Sequence, residues 1–496
     1  MSSFGSSLNI GTSAIHAAQR GLDVTGQNIA NAATPGYTRQ RVDLESIGGP
    51  GQPAFWSRYD GVGEGVKITG VTRMNDEFLE ARARNANAAL GSAEEQAKTF
   101  AAVERTVGEP SDTGLQKKLD LFWNSWGKIS TDPRSEAPRN LTFENAGAVA
   151  NQLNLMSNSL TTQYQDTYSE LSANVTKVNE LATNVAKLNE AIRSNNIAKV
   201  PANELLDQRD TMIAELGRLT GATVKPAELD QGADFNSQAV DVYIGNTKLV
   251  DGVNANSLAV SGPSANPTGA EDQAKVVWAT VSAGSDVPVG GDAVVENTRL
   301  TGGASATGSL SGMLKGLNET IPTFLKQFDD VAASLASAVN AQLASGYTVG
   351  GANGDTLPLF SASGGGAVTA ANIQVTSGMT PNDLAISKGN PMGTPLALDG
   401  DNAMAMAALS RTANGPSAKY SSMVVQLGVQ ANSVNNAVTT QGNVVRQAED
   451  ARDNVSGVSL NEEMTNLIKF QHSFSAAAKF IGVIDQTLDT LIHMTR

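Results

Sequence analysis

The sequence predicts a multidomain α+β protein: both chain ends form one α-helical coiled-coil domain, long internal helices form a central bundle domain, and one or two mainly β domains are inserted. Three observations predict this. Apolar residues recur every seven positions at both ends, as Leu8, Ile15, Leu22 and Ile29 and as Leu460, Leu467, Phe474, Ile481 and Leu488. A third heptad, Leu171, Val178, Val185 and Ile192, lies mid-chain. Between the helical tracts, residues 221–309 and 346–416 break into short runs among Gly, Pro and Asn.

A seven-residue repeat keeps its seam on a partner only when helices supercoil, so each end is built to pack against another helix. Three residues on, the C-terminal tract repeats with Phe470, Ala477, Ile484 and Leu491. The same offset at the N-terminus holds Gly11, Ala18, Thr25 and Ala32, small residues that let backbones approach closely. Backbone ordering costs about 1–2 kcal/mol per residue, more than one apolar stripe returns. Each end alone is therefore expected to be largely disordered, and helical once it has company.

Residues 8–33 read as the first helix, stopped at Thr34-Pro35-Gly36 because proline disfavours helical geometry in the preceding residue. Residues 37–73 read as extended, with Val42, Leu44, Val62, Val66 and Ile68 among glycine-rich turns such as Gly48-Gly49-Pro50-Gly51. Asn75 to Val107 is helical and halted by Gly108-Glu109-Pro110; Leu115, Leu119, Phe122, Trp126 and Ile129 mark a shorter helix whose aromatics, with Trp123, fill core. The longest helix runs from about Arg139 to Asn195; its heptad suits a bundle or a coiled-coil dimer. Asn203 to Arg218 follows, with Leu205, Leu206, Ile213 and Leu216 on its apolar side. Runs such as Ala239 to Ile244 and Lys275 to Trp278 make 221–309 a β region, and ten acids against four bases there, a net of -6, suggest a solvent-facing part. Helix returns over Gly312 to Ser345 and again from Lys419, with a break at Ser456-Gly457.

These readings divide the chain into 1–40 plus 456–496, a terminal helical coiled coil; 41–220 plus 305–345 plus 417–455, a helical bundle with β-hairpin elements; 221–304, an inserted β domain; and 346–416, a turn-rich β insertion.

Composition excludes several classes. The net charge of -14, with no cluster of Lys and Arg, argues against nucleic acid. With no cysteine among 496 residues, disulfides, thiolate catalysis and cysteine-held metal are excluded. The start lacks a basic segment followed by an apolar core, so no cleavable signal peptide is expected, and no run of roughly 20 apolar residues calls for membrane insertion.

No catalytic, cofactor-binding or metal-binding residue is assigned. Asp207, Arg209 and Asp210 are read as solvated or paired charges on a helix. His16, His472 and His493 lack zinc-ligand spacing, and Gly302-Gly303 and Gly364-Gly365-Gly366 lack the Lys-Ser/Thr of a phosphate loop. No HExxH motif or Gly-x-Ser-x-Gly elbow is present, so no enzyme is expected.

The stretch Asn28-Ile29-Ala30-Asn31-Ala32-Ala33-Thr34-Pro35-Gly36-Tyr37 resembles the N-terminal signature of bacterial flagellar rod, hook and hook-associated proteins. Val458-Ser459-Leu460-Asn461-Glu462-Glu463-Met464, with Leu467 and Phe470-Gln471, is similar to the matching C-terminal end of that family. Asn203-Glu204-Leu205-Leu206-Asp207-Gln208-Arg209-Asp210 and Leu310-Ser311-Gly312-Met313-Leu314 resemble interior helices of its members at the hook–filament junction. The resemblance is weak over 221–309 and 361–416.

It implies an extracellular structural subunit that joins hook to filament by helical polymerisation through its terminal helices. It also implies the partners: further copies of the chain, the hook protein, the second hook-associated junction protein and an export chaperone on the C-terminal tract, with type III export and no cleaved signal. The heptad residues of the two chain ends would then be the assembly interface, and Asn31, Thr34, Pro35, Gly36 and Tyr37 the helix-break motif at the joint between inner tube and outer layer. Other readings are a different axial protein, such as hook subunit or second junction protein, or a secreted adhesin or hydrolase.

Overall fold

The computed structural model describes residues 2–48, 63–227, 238–265, 273–280, 307–393 and 398–494. Helix α1 (Ser2–Asn31) leads into an antiparallel hairpin of β1 (Gln40–Ile47) and β2 (Gly65–Arg73). Then come α2 (Glu77–Val107), α3 (Leu115–Thr131), α4 (Glu136–Ile197) and α5 (Asn203–Thr220). Short strands follow: β3 (Thr223–Pro226), β4 (Val240–Ile244), β5 (Thr247–Asp251) and β6 (Asn254–Ala255) in one antiparallel sheet, β7 (Ser257–Ser261) and β8 (Lys275–Thr280) in another. The chain returns to helix in α6 (Ser309–Lys315), joined by a π turn to α7 (Ile321–Ala344). Strands β9 (Phe360–Ala362) and β10 (Ile373–Val375) pair, and α8 (Asp401–Ala408), α9 (Pro416–Ser456) and α10 (Leu460–Met494) complete the chain.

Helix ends follow local chemistry. The Asp76 carboxylate accepts from the Phe78 and Leu79 amides to start α2, and Gly108 closes it in the left-handed conformation at φ +59. The start of α10 lies only a few residues beyond α9, across Gly457, where the sequence places its break.

The main core fills the space between α2, α3, α4, α7 and α9. Trp126, Leu153, Val178 and Phe328 are completely buried, and Phe122 meets Trp126 edge-on at 6.3 Å. Val242, Leu249, Leu258 and Trp278 of the β region belong to the same continuous cluster. Asn179 of α4 holds β7 in place, donating to the Leu258 carbonyl (2.9 Å) and accepting from its amide (2.8 Å).

Three expectations change here. In the acidic β region, Asp241 is buried and ion-paired with Lys248 at 2.7 Å, because its carboxylate also caps the β5–β6 turn by accepting from the Gly252 amide. Of the other acids counted there, Asp251 is described and also meets Lys248 at 2.7 Å. Glu228, Asp230, Asp234, Glu271, Asp272, Asp286, Asp292 and Glu296 lie outside the described residues, as do Gly49 to Val62 and Gly302-Gly303. Segment 346–416 carries little strand: β9 and β10 are three residues each, and α8 is a helix within it. Side-chain amides compensate for the missing ladders, Asn340 donating to the Phe360 carbonyl (2.8 Å) and Asn154 to that of Ala370 (2.8 Å). On α5, Ile213 and Leu216 are buried in the core as the apolar side predicts, but Leu205 and Leu206 are only half-buried and Asp207 and Arg209 are buried with them, so the first turns of the helix also turn a polar side in.

Candidate assembly interface

Helices α1 and α10 pack side by side in opposite directions. Their closest approach is made by glycine: a Cβ on Gly21 would lie 2.5 Å from the Phe470 ring, and one on Gly11 would lie 2.6 Å from Ile481 Cγ1. Gly11, Ala18 and Thr25, the small stripe of the N-terminal tract, are buried here, whereas Ala32 falls beyond the helix end and is exposed. From α10 the buried contributors are Glu463, Ala477 and Ile484. Phe470, like the heptad residues Ile15, Leu22, Ile29, Leu467, Phe474, Ile481 and Leu488, is half-buried; Leu8 and Leu460 are exposed. The tight seam within one chain is thus small residues of α1 against large ones of α10, among them Ile481 of the heptad, while the other heptad residues lie beside it.

Large apolar side chains remain open on other sides of α10: Met464 (51%), Ile468 (49%), Val483 (59%) and Ile492 (62%). A groove of about 660 Å³ also opens between α1, the β1–β2 hairpin and α10, lined by Ala17, Gly21, Val42, Leu44, Lys469 and Phe470.

At the foot of the pair, a polar joint ties it to the rest of the molecule. Asn28 is 1% exposed and every hydrogen-bonding position of its amide is used. Its Nδ2 donates to the Gln40 carbonyl (2.9 Å) and to Glu463 (3.1 Å); its Oδ1 accepts from the Gln40 amide (3.0 Å) and the Tyr37 hydroxyl (2.8 Å). Arg39 forks to Glu463 (2.8 Å) and Glu462 (2.6 Å), and its amide donates to the Ser456 carbonyl (2.9 Å) at the end of α9. Burial, aided by the carboxylates of Asp207, Glu204 and Glu463, pushes the Tyr37 phenol up to about 12, so it remains a donor.

The break itself lies where the motif predicts. Thr34 donates its amide to the Asn31 carbonyl (2.9 Å), Tyr37 donates to that of Thr34 (3.2 Å), and Gly36 takes φ +79. A side chain on Gly36 would also meet Thr211 of α5, whose Oγ1 lies 2.3 Å from the Cβ position. Thr34, Pro35 and Gly36 are exposed; Asn31 and Tyr37 are half-buried.

Past the break, the chain runs into a buried ion-pair cluster. Arg73 of β2 meets Asp207 (2.8 Å) and Asp210 (2.7 Å) of α5, and Asp207 accepts from the Thr38 amide (3.3 Å). Burial raises the Asp207 pKa, with Arg73 and the Thr38 hydrogen bonds opposing the shift. Burial also lowers that of Arg209, which donates to the Gln238 carbonyl (2.5 Å) and reaches Asn189 of α4 (3.4 Å). Asn189, fully buried, donates onward to the carbonyls of Val240 (2.8 Å) and Gly252 (2.6 Å). A polar relay therefore runs from the terminal helices through Gln40 of β1 to Asn203 of α5, and continues on α5 from Asp207 through Arg73, Asp210 and Arg209 to the β region.

Asp207, Arg209 and Asp210 form structural ion pairs in this relay. His16 and His472 are exposed, and His493 lies 3.6 Å from Asp489 on its own helix. Among the described residues no three metal-ligating side chains converge, and no helix is long and apolar enough to cross a membrane. Asn28, Arg39, Gln40, Arg73, Asn189 and Glu463 were not singled out by pattern. Asn28 and Glu463 lie inside the two motif stretches, where a polar residue interrupting an apolar helix is the one signal that marks them.

Comparison with known proteins agrees with this geometry at both ends and in the middle. Residues 100–358 match the family model described as flagellar hook-associated protein FlgK helical domain. Residues 8–38 match that of the flagella basal body rod protein, and residues 452–494 that of the flagellar basal body rod FlgEFG protein C-terminal region. The chain is 29% identical to flagellar hook-associated protein 1 of Bacillus subtilis, over 97% of this chain and 96% of that one. It is 24% identical to flagellar hook-associated protein 1 of Escherichia coli, over 98% and 99%. The fold is similar to the flagellar hook junction protein FlgK from Burkholderia pseudomallei, with TM-score 0.59, 15% identity, and coverage of 76% of this chain and 100% of that one. With more than half of its length matched by the FlgK helical-domain model and both ends by rod-protein models, the chain belongs to the FlgK family of flagellar hook-associated proteins.

Proposed function

We propose that this chain is a structural subunit of the bacterial flagellum that forms the junction between hook and filament, polymerising through its terminal helices. The observation that carries the reading is the α1–α10 pair: glycine seats its inner seam, yet Met464, Ile468, Val483 and Ile492 are left open on α10. Exposed apolar side chains along one helix mark a surface made for other chains. Contacts between unlike faces of identical subunits propagate helically rather than closing into a dimer, which is how a tubular assembly grows.

In this reading Leu8, Ile15, Leu22 and Ile29 with Leu460, Leu467, Phe474, Ile481 and Leu488 are shared between the chain's own pair and its neighbours. Asn31 to Tyr37 is the joint at which the inner helix turns out to the bundle. The working units are 1–40 with 456–496 as inner tube, the helical bundle around it, and 221–304 and 346–416 as outer insertions. Partners are further copies, the hook protein on one side and the second hook-associated junction protein on the other. The C-terminal tract is the segment an export chaperone holds before assembly. The chain leaves the cell by the flagellar export route without signal cleavage and acts by packing, with no catalysis.

Deleting the chain from a flagellated cell tests the role. Filament subunit is expected to appear unpolymerised in the medium while hooks remain, and expression of the wild-type chain is expected to restore filaments. Normal filaments in the deletion strain would refute the assignment.

A further inference from the structure

Two exposed helix stretches carry no charge of their own. In a chain that is 17% charged, residues 421–445 of α9 and residues 145–165 of α4 contain no Asp, Glu, Lys or Arg. Each stretch nonetheless presents a stripe to solvent: Val425, Val429, Asn432 and Asn436 on α9, and Asn151, Leu155, Asn158 and Thr162 on α4. The aliphatic members are far from marginal, with Val425 64%, Val429 65% and Leu155 61% exposed. Helices α3 and α7 each pack against both α4 and α9, so the two stripes look outward from one shared core.

The shape of the α9 stripe is specific. Val425, Gly428, Val429 and Asn432 stand at i, i+3, i+4 and i+7, the four corners of a hole that accepts a knob from a facing helix. Its lowest corner is Gly428, where a Cβ would meet nothing within 4 Å, and a shallow depression is lined by these residues. On α4, Leu155 is the one large exposed aliphatic side chain of its stripe, with Asn151 and Asn158 a turn to either side.

We propose that these faces are the two halves of a heterologous contact between neighbouring copies of this chain, with Leu155 of one copy seated in the Val425–Gly428–Val429–Asn432 hole of the next. Charge decides the occupant. Each copy carries -14, so the approach of identical chains is opposed least where the facing helices add no charge of their own, with Lys118 of α3 reaching Gln152 at the edge of the α4 stripe, and depletion of charge is the compositional mark of an interface centre. The asparagines on each side supply donors and acceptors that pair across the contact without bringing charge. A helix face of this length covers on the order of 400 Å² at 1.5 Å per residue and about 10 Å width, below the roughly 800 Å² per partner of a stable standard interface. The contact therefore forms only between copies already held side by side, and to that extent it rests on the assembly reading above.

The absence of cysteine makes the test direct. A Leu155→Cys/Val429→Cys double variant is expressed in the deletion strain, flagella are isolated and mildly oxidised, and the chain is run on a non-reducing gel. The expected result is a ladder of disulfide-linked copies, with each single variant staying monomeric. Two results would overturn the proposal: no ladder from a double variant that still holds filaments, or equal dimer from one single variant, which would mean that a face meets itself. As a second measurement, Leu155→Lys and Val429→Glu are each expected to reduce filament retention, and their combination to restore it. Wild-type retention in both single variants overturns the contact whatever the cysteine variants do. A ladder in cells whose filaments do not depend on the chain would keep the contact and remove the junction role.

Discussion

Glu463 carries more of the joint than any apolar residue of the heptads, because it is 1% exposed and answers both Arg39 and Asn28. Removing one partner of a buried pair leaves the other unsatisfied, so Glu463→Ala is expected to destabilise the terminal pair by on the order of 3 kcal/mol. Arg39→Ala should cost less alone and little more in the double variant, since both changes break one network. Protease resistance of residues 1–40 and 456–494 reads this, and strictly additive losses would count against a shared network. Tyr37 gives a pH signature. Its phenol is raised from 10.0 to about 12, so the stability it contributes is complete below pH 10 and is lost as pH rises through about 12. Ultraviolet titration of wild type against Tyr37→Phe should therefore lose an ionisation step near pH 12; a missing step near pH 10 would contradict the buried hydrogen bond to Asn28. These contacts were poorly legible in the sequence. Asp207, Arg209 and Asp210 read as solvated or paired charges on a helix, and the partners that turn them inward, Arg73 and Thr38 for the acids and Asn189 and Gln238 for Arg209, are distant in sequence.

Helices were the most legible feature: the Asp76 cap, the Gly108 stop, Pro35 and the Ser456-Gly457 break mark ends directly, whereas α8, inside a turn-rich segment, left no such trace. Which stripe each helix turns toward its own chain was not legible. A heptad reports an apolar seam without saying which neighbour fills it, and here Gly11 and Gly21 let α10 approach on the small side. Gly21→Leu is expected to cost about 1–3 kcal/mol by overpacking against Phe470, and Phe470→Ala in the same chain should recover most of that loss. Thermal unfolding of the three variants checks this; no recovery in the double variant would mean that the ring is not the obstacle. Strand alternation was likewise visible in 221–309. Its attachment to α4 through Asn179 and Asn189 was hidden, because a side-chain amide that caps distant backbone leaves no periodic trace.

Taken whole, the molecule joins a helical pair made from both sequence extremes to a bundle and a β region by polar contacts, from Glu463 through Asn28 and Gln40 to Asn203 of α5, and on α5 from Asp207 through Arg73, Asp210 and Arg209 to Asn189. Residues 145–165 of α4 and 421–445 of α9 hold no charged side chain, an arrangement that suits an acidic chain meeting copies of itself. In the proposed assembly this pair places the chain in one tier between hook and filament. Gold-labelled antibody against the chain on intact flagella tests it most directly in the electron microscope. A single band of label at the hook–filament boundary is the predicted result; label spread along the filament, or confined to the cell body, would contradict it.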